Sequence, residues 1–211
     1  SNVKYTSNAE GDWVVNIVDN SGNVQSKIAT GIDSNGSVHA MYYRDGELIH
    51  ANQTTSGWFK ESVESTDQLG EGISMFIDAD DVIYATYYNN FSHLLKYVNN
   101  ANGFWNSTEV MESGNAGGMG NVIAVDSNGN EQIAYVDTAE KVLKYVERRS
   151  GVWMYQKVDL DGCGKGICGT ATSGAGRGMR PWLRQRNVLI VECISPVSLK
   201  GPKKTRTGSL V

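Results

Sequence analysis

Apolar residues in this chain form short runs rich in Val, Ile, Tyr and Thr, and clusters of Gly, Asn, Asp and Ser separate the runs. Within residues 133–136 and 143–146 the residues alternate between two sides, and one side is more apolar than the other. This two-residue alternation is the period of a β-strand. Asn35-Gly36 and Asn128-Gly129 stand between such runs and predict tight hairpins, because that turn needs a positive φ. No stretch shows a convincing helical period. The pattern predicts an all-β protein.

The same order of runs recurs along the chain with a tryptophan in each unit. Trp13, Trp58, Trp105 and Trp153 are 45, 47 and 48 residues apart, which is the signature of a repeat architecture. Each full unit contains four predicted strands. The chain is predicted to open on the third and fourth strands of one unit and to continue with three whole units; these segments are 3–5 and 13–17, then 24–64, 70–111 and 118–159.

Four strands per unit is the design of a β-propeller blade, in which each small sheet buries its faces against neighbouring sheets. A β-solenoid is the alternative, but its coils are usually shorter than these units. We predict an all-β β-propeller of four-stranded antiparallel blades, with about three complete blades plus partial ones. A closed four-bladed ring would need the C-terminal end to supply the first two strands of the opening blade. Otherwise we expect an incomplete or imperfectly closed ring with open sheet edges.

One repeated motif carries a family resemblance. It reads Asp-Ser-Asn-Gly at 126–129, Ile-Ala-Tyr-Val-Asp at 133–137, Leu-Lys-Tyr at 143–145 and Gly-Val-Trp at 151–153. The motif resembles the repeats of bacterial extracellular β-propellers of the sialidase-like and six-bladed TolB-like kind, over about residues 3–167. The resemblance implies a secreted or cell-surface protein. It implies no single activity, since propellers host many unrelated functions.

Charge and composition divide the chain in two. Residues 1–162 hold 10 Lys and Arg against 22 Asp and Glu, a net charge of −12, whereas residues 163–211 have a net charge of +8. All three cysteines and all three prolines also lie in the second part. We therefore assign residues 1–167 to the propeller repeats and 168–211 to a divergent basic tail. The odd number of cysteines offers no disulfide framework, and no apolar run is long enough to predict a membrane span.

Two interpretations of the tail remain open. In one, Asn187–Ile194 is a real strand and the basic end is a genuine tail. In the other, which we favour because every compositional index changes at once, the sequence leaves its reading frame or the gene is partial. In both, Lys200–Arg206 is predicted to be disordered.

The motifs that usually carry catalysis or cofactors are absent from the sequence. Asp33, Asp78 and Asp126 open oxygen-rich loops like those that bind calcium, but no glutamate completes an EF-hand and each loop lies where a hairpin must turn. We interpret them as turn residues and predict no cofactor, with calcium as the only ion to consider. The three histidines, which share no repeat position, are predicted to be structural or at the surface; they are His39, His50 and His93.

Two anionic ligand classes fit the sequence poorly. Sialidases hold the carboxylate of their substrate with several arginines, but Arg44 is the only arginine before residue 148. The resemblance to sialidases therefore does not extend to their active site. The acidic charge of residues 1–162 would repel phosphates, so we predict no nucleic-acid partner.

The aromatic residues of the repeat are predicted to pack. The tryptophan of each unit should lie between blades, where its large apolar ring is buried. An exposed aromatic platform on which a sugar stacks is the alternative. Tyrosines recur on the second strand, and adjacent ones point to opposite faces of the sheet. We therefore expect that not all of them are in the core; they are Tyr42, Tyr43, Tyr87, Tyr88 and Tyr135.

The predicted function is a non-enzymatic binding or scaffold module. Propeller ligands bind at one mouth of the ring, in loops that recur once per blade. Here those loops follow the second strand or precede the first as glycine-rich segments (68–72 and 115–120), and their amides, carboxylates and rings suit a neutral carbohydrate or glycoprotein. The predicted ligand-binding residues are Tyr43, Arg44, Asp45, Tyr88, Asn89, Asn90, Tyr135 and Asp137. Protein scaffolding is the nearest alternative, and a propeller-type glycoside hydrolase or lyase is the competing class.

Overall fold

The chain folds into β-strands alone in the part described by this computed structural model. The described residues are 2–9, 11–65, 70–110, 117–137, 139–140, 142–159, 168–173 and 189–193. No helix occurs among them, which confirms the all-β prediction. The strands are β1 (Val3–Ser7), β2 (Val14–Asp19), β3 (Val24–Ile32), β4 (Val38–Arg44), β5 (Glu47–Thr54), β6 (Gly57–Ser65), β7 (Gly70–Ile77), β8 (Ile83–Asn89), β9 (Leu94–Asn99), β10 (Asn106–Glu109), β11 (Gly117–Val125), β12 (Glu131–Asp137), β13 (Val142–Arg149), β14 (Val152–Asp159), β15 (Cys168–Ser173) and β16 (Leu189–Cys193).

Twelve of these strands form three antiparallel sheets of four, each in chain order. The first blade is β3–β6, the second is β7–β10 and the third is β11–β14. The N-terminal pair, β1–β2, and the C-terminal pair, β15–β16, are separate two-stranded sheets. This confirms the predicted phase, in which the chain opens on two strands and continues with three whole blades.

The inner strands of successive blades lie side by side. Strand β7 lies between β3 and β11, and β15 lies against β11. This is the arrangement of a β-propeller, with the first strand of each blade nearest the axis. A closed four-bladed ring would need the C-terminal end to pair with the opening blade, and this pairing is not seen among the described residues, where β16 pairs with β15. Strand β16 falls inside the 187–194 run that one interpretation of the tail predicts to be a strand, and Lys200–Arg206 lies outside the described residues.

Both faces of the second strands are core, which corrects the expectation for the tyrosines. All five second-strand tyrosines are buried, with at most 4% of any of them exposed. Tyr42 packs toward the N-terminal pair and Tyr43 toward the second blade. The alternation of a strand does send neighbours to opposite faces. However, neighbouring sheets cover both faces of the second strands at these positions, so neither side is free.

The repeated tryptophan packs between blades, as predicted, at three of its four positions. In each case a ring on β1, β5 or β9 meets, edge to face, the tryptophan that lies on or directly before the fourth strand of the next blade. These pairs are Tyr5–Trp58, His50–Trp105 and Tyr97–Trp153, with centroids 5.7, 5.2 and 5.4 Å apart. Trp13 is the exception, because 70% of it is exposed.

The aspartates of the oxygen-rich loops are turn residues, as predicted. Asp33 Oδ1 accepts hydrogen bonds from the amides of Asn35 and Ser37 at 3.0 and 2.7 Å. Asp78 and Asp126 accept the equivalent pairs of amides in their own loops. The positive φ that closes each turn falls on the same position of the repeat, at Gly36, Asp81 and Gly129.

The glycine-rich segments differ from the prediction. They were expected to be loops before the first strand, but Gly70 and Gly117 already begin strands β7 and β11. The register of each strand slips near a glycine with positive φ, at Gly72 and Gly120. Such a bulge accommodates one extra residue without ending the strand. Glycine adopts the required positive φ at little cost in conformational free energy. Residues 68–69 and 115–116 lie outside the described part.

Candidate functional site

The predicted ligand-binding residues lie at one end of the blades, which we call the upper rim. It comprises the connections from second to third strand, at 44–47, 89–94 and 137–142. Arg44, Asn89 and Asp137 occupy equivalent places there, because each is the last residue of its second strand. The Asp33, Asp78 and Asp126 turns lie at the opposite end.

The three predicted tyrosines lie below the rim and are buried. Tyr43 and Tyr135 are 1% exposed and Tyr88 is 4% exposed. The Tyr88 hydroxyl is 3.0 Å from His93 Nδ1, whereas the Tyr43 hydroxyl has no hydrogen-bond partner among the described residues. In this arrangement none of these rings has a face open to a sugar. Their role in binding stays a prediction, and the rim offers other groups.

Arg44 is directed into the protein. Its Nη1 donates to Asp19 Oδ2 at 2.9 Å and to Ser21 Oγ at 3.1 Å, and its Nη2 is 3.5 Å from Glu47. Burial of Asp19 alone would raise the pKa of that carboxyl, but hydrogen bonds from Ser21, Tyr42 and Arg44 outweigh burial and hold the pKa well below its usual range. Arg44 therefore joins the first blade to the N-terminal pair.

Asp45 forms the tight hairpin after Arg44. It has a φ of 49° and is followed by Gly46 at 85°, the positive pair that a two-residue hairpin needs. Its Oδ1 accepts the amide of Asn23 at 3.0 Å. The Asp45 carboxylate thus holds the hairpin against the chain entering β3.

The connection in the second blade is longer and presents an aromatic side chain. Asn89 Oδ1 accepts the amides of Phe91 and Ser92 at 2.9 and 3.0 Å, and so fixes the loop. Phe91 is 65% exposed, and Asn90 beside it is half-buried. A ring that is held by its backbone and open on its face can stack on an apolar surface of a ligand.

The third-blade connection is an ion-paired turn. Asp137 Oδ1 accepts the amides of Ala139 and Glu140, and Lys144 Nζ lies 2.7 Å from Asp137 Oδ2 and 2.9 Å from Glu140 Oε1. Burial would lower the pKa of Lys144, but the two carboxylates raise it well above its usual value. Lys157 also pairs with Glu140, so two lysines balance the two carboxylates of this turn.

A further carboxylate is held between the first and second blades. Glu64 accepts from the Tyr87 hydroxyl, from Lys96 Nζ and from Ser107 Oγ, all on the second blade. Burial would raise the pKa of Glu64, and these donors lower it instead. Glu64 repeats the role of Asp19, since each accepts the hydroxyl of the buried tyrosine on the next blade. Both carboxylates are engaged in holding blades together.

The same interface contains a chain of ionisable groups that was not predicted from the sequence. His39 Nδ1 is 2.9 Å from His50 Nε2, and the two rings stack with their centroids 5.2 Å apart. His50 Nδ1 is 3.0 Å from Glu61 Oε1, which also accepts Trp105 Nε1–H at 3.0 Å. At the other end His39 Nε2 is 3.4 Å from Asp33 Oδ2. Both histidines are buried, as the structural interpretation of them predicts.

The proton order along this chain follows when His50 is the neutral ring with its proton on Nδ1. His50 Nδ1–H then donates to Glu61 Oε1, and His50 Nε2 accepts from His39 Nδ1–H. Burial lowers the pKa of His50, and the charge of His39 lowers it further, against the raising effect of Glu61. The fold therefore favours the neutral form of His50.

A pH-dependent stability follows from His50. Its folded pKa lies below the unfolded value of about 6.5, so the unfolded chain binds the proton first and stability is lost as pH falls through the folded pKa. We expect the unfolding free energy to fall more steeply from about pH 7 to about pH 5 in the wild type than in His50→Gln, which keeps a donor and an acceptor but does not titrate. Urea unfolding at a series of pH values measures both curves. Parallel curves for the wild type and His50→Gln would contradict the prediction.

No family model and no curated protein sequence matches the chain. In the described part of the chain, no group of three or more His, Cys, Asp or Glu side chains is arranged to hold a metal ion. Over the same residues, no helix has the length and apolar character needed to cross a membrane.

Proposed function

We propose that this chain is a non-enzymatic binding module of a secreted or cell-surface protein, and that it recognises carbohydrate weakly at the upper rim of the second blade. The observation that carries the proposal is the loop after β8. Asn89 fixes its backbone, Phe91 presents an open ring, and Asn90 lies beside that ring. An aromatic face next to an amide that both donates and accepts suits a neutral polyhydroxy ligand.

The charges of the interior favour binding over catalysis. Asp19, Glu64 and Asp137 each accept hydrogen bonds from groups that hold the fold, and each faces a cation. A glycosidase needs two carboxyl groups facing one open sugar site. The acidic repeats also disfavour polyanions, since like charge repels them from the rim. The resemblance to extracellular propellers supports a location outside the cell.

The test is glycan-array binding by the full chain and two alanine variants. Phe91→Ala and Asn90→Ala are expected to weaken any glycan signal by about tenfold or more, as loss of a central contact does, with unchanged circular dichroism. Phe104→Ala is the matched control, because Phe104 is equally open, at 63%, but lies in the turn before β10 at the opposite end of the blade. A clean array at high protein concentration would overturn carbohydrate recognition, and turnover of glycosides would favour the hydrolase or lyase class.

A further inference from the structure

The contacts between neighbouring blades follow one rule. A ring on the third strand of one blade meets, edge on, the tryptophan of the next blade, and this occurs at all three described contacts between neighbouring sheets from the N-terminal pair to the third blade. Val18 on β2 and Val110 directly after β10 reinforce the contact, with 3% and 0% exposure. The forward side of one blade is therefore complementary to the rear side of the next.

The N-terminal pair has an open rear side. Trp13 occupies the tryptophan position, and alternation along β2 places Val15 and Ile17 on the same side as Trp13 and opposite to the buried Val18. The exposed fractions of Trp13, Val15 and Ile17 are 70%, 57% and 53%. Three large apolar residues in a row on one strand face are an unusual exposed patch in a soluble domain.

The third blade has an open forward side on its outer strands. Tyr145 pairs with Ala134 as Tyr97 pairs with Thr86, so Tyr145 occupies the position of the third-strand ring. On β14, alternation places Val152 and Met154 on the side opposite Trp153, and they are 64% and 43% exposed. Strand β15 of the C-terminal pair lies against β11 and β12 of this blade. In the described part of the chain, the outer strands β13 and β14 are therefore exposed on this side.

From these two sides we propose that the chain associates head to tail with a second copy of itself. Strands β1–β2 of one copy seat Trp13, Val15 and Ile17 on strands β13–β14 of the other, with Trp13 edge on to Tyr145. Each side is formed by a pair of outer strands. The occupant is a second copy because the contact continues the one that joins successive sheets within the chain, where a ring on one sheet meets the tryptophan of the next. A contact between two different surfaces is heterologous, so it repeats from copy to copy and closes into a ring or extends.

Sedimentation velocity of the full chain tests the proposal. Its mass should rise from that of one 23.0 kDa chain as the concentration increases from about 1 to about 100 µM, the range in which modest interfaces associate. Trp13→Lys and Met154→Lys should each remain monomeric throughout, because each places a charge in one of the two apolar sides. Phe104→Lys is the control at an exposed ring outside both sides and should associate like the wild type. All three positions are exposed, so folding should be unchanged.

Mixing the two monomeric variants separates this contact from other modes of association. Trp13→Lys keeps an intact forward side and Met154→Lys keeps an intact rear side, so the mixture should form a dimer that neither variant forms alone. Association through two copies of one surface would give no rescue and would overturn the proposal. A wild type that is monomeric at every concentration would overturn it too, whether Trp13 is then open or shielded by its own third blade.

Discussion

Replacing Asp19 with alanine is expected to lower the free energy of unfolding by about 3–5 kcal/mol, the cost of removing one partner from a buried ion pair. The Asp19 side chain has no exposed surface, and it accepts from Ser21, Tyr42 and Arg44. Its loss leaves the Arg44 guanidinium and the Tyr42 hydroxyl without their common acceptor between the N-terminal pair and the first blade. Chemical denaturation at pH 7 measures the change.

The pH dependence of that loss identifies the charge as its cause. The folded pKa of Asp19 is lowered, so its contribution is complete above the unfolded pKa of about 3.9 and is lost as pH falls below it. The difference between the wild type and Asp19→Asn should therefore shrink in acid, provided that both remain folded. Asp80→Ala, at an exposed turn aspartate, should change stability by less than about 0.5 kcal/mol. An Asp19→Ala protein as stable as this control would contradict the ion-pair argument.

The sequence predicts the blades well because the informative residues act locally. An Asn-Gly turn determines its own hairpin through backbone conformation, and Gly36 and Gly129 have the positive φ that this turn requires. The tryptophan spacing then sets the phase of the repeat. The glycine-rich segments failed as loops because a positive φ is equally compatible with a bulge inside a strand, and only pairing with a neighbour distinguishes the two.

The site is less predictable because its residues depend on neighbours from other blades. Alternation along the strand predicts that Tyr42 and Tyr43 face opposite sides of the sheet. It does not predict that neighbouring sheets cover both sides. The sequence around Phe91 does not indicate a binding role, apart from the length of the loop that contains it. The His39–His50 contact had one available signal: the Asp45-Gly46 hairpin pairs Met41 with His50, which places His39 two residues away on the same face. Glu61 and Trp105 join that chain only through the packing of sheets.

Replacing Gly70 with alanine is expected to cost about 3 kcal/mol, toward the upper end of overpacking penalties. A Cβ on Gly70 would overlap the ring of Tyr43. That ring is 1% exposed and packs edge on to Tyr87, with centroids 5.9 Å apart, so it has little room to move. No strained φ is involved at Gly70, and the whole effect is steric. Urea unfolding of the variant measures it.

A double-mutant cycle attributes this cost to Tyr43. Tyr43→Val, which introduces the residue found at the equivalent Val136, removes the ring that the new Cβ would meet. The cost of Gly70→Ala should then fall well below its value beside tyrosine, giving a coupling within the 0.5–3 kcal/mol seen for residues in contact. Gly31→Ala is the control, because its Cβ would meet the flexible end of Ile77 at 2.9 Å and should cost less. Additive losses in the cycle would show that the close approach of β7 to Tyr43 does not set the spacing between the first two blades.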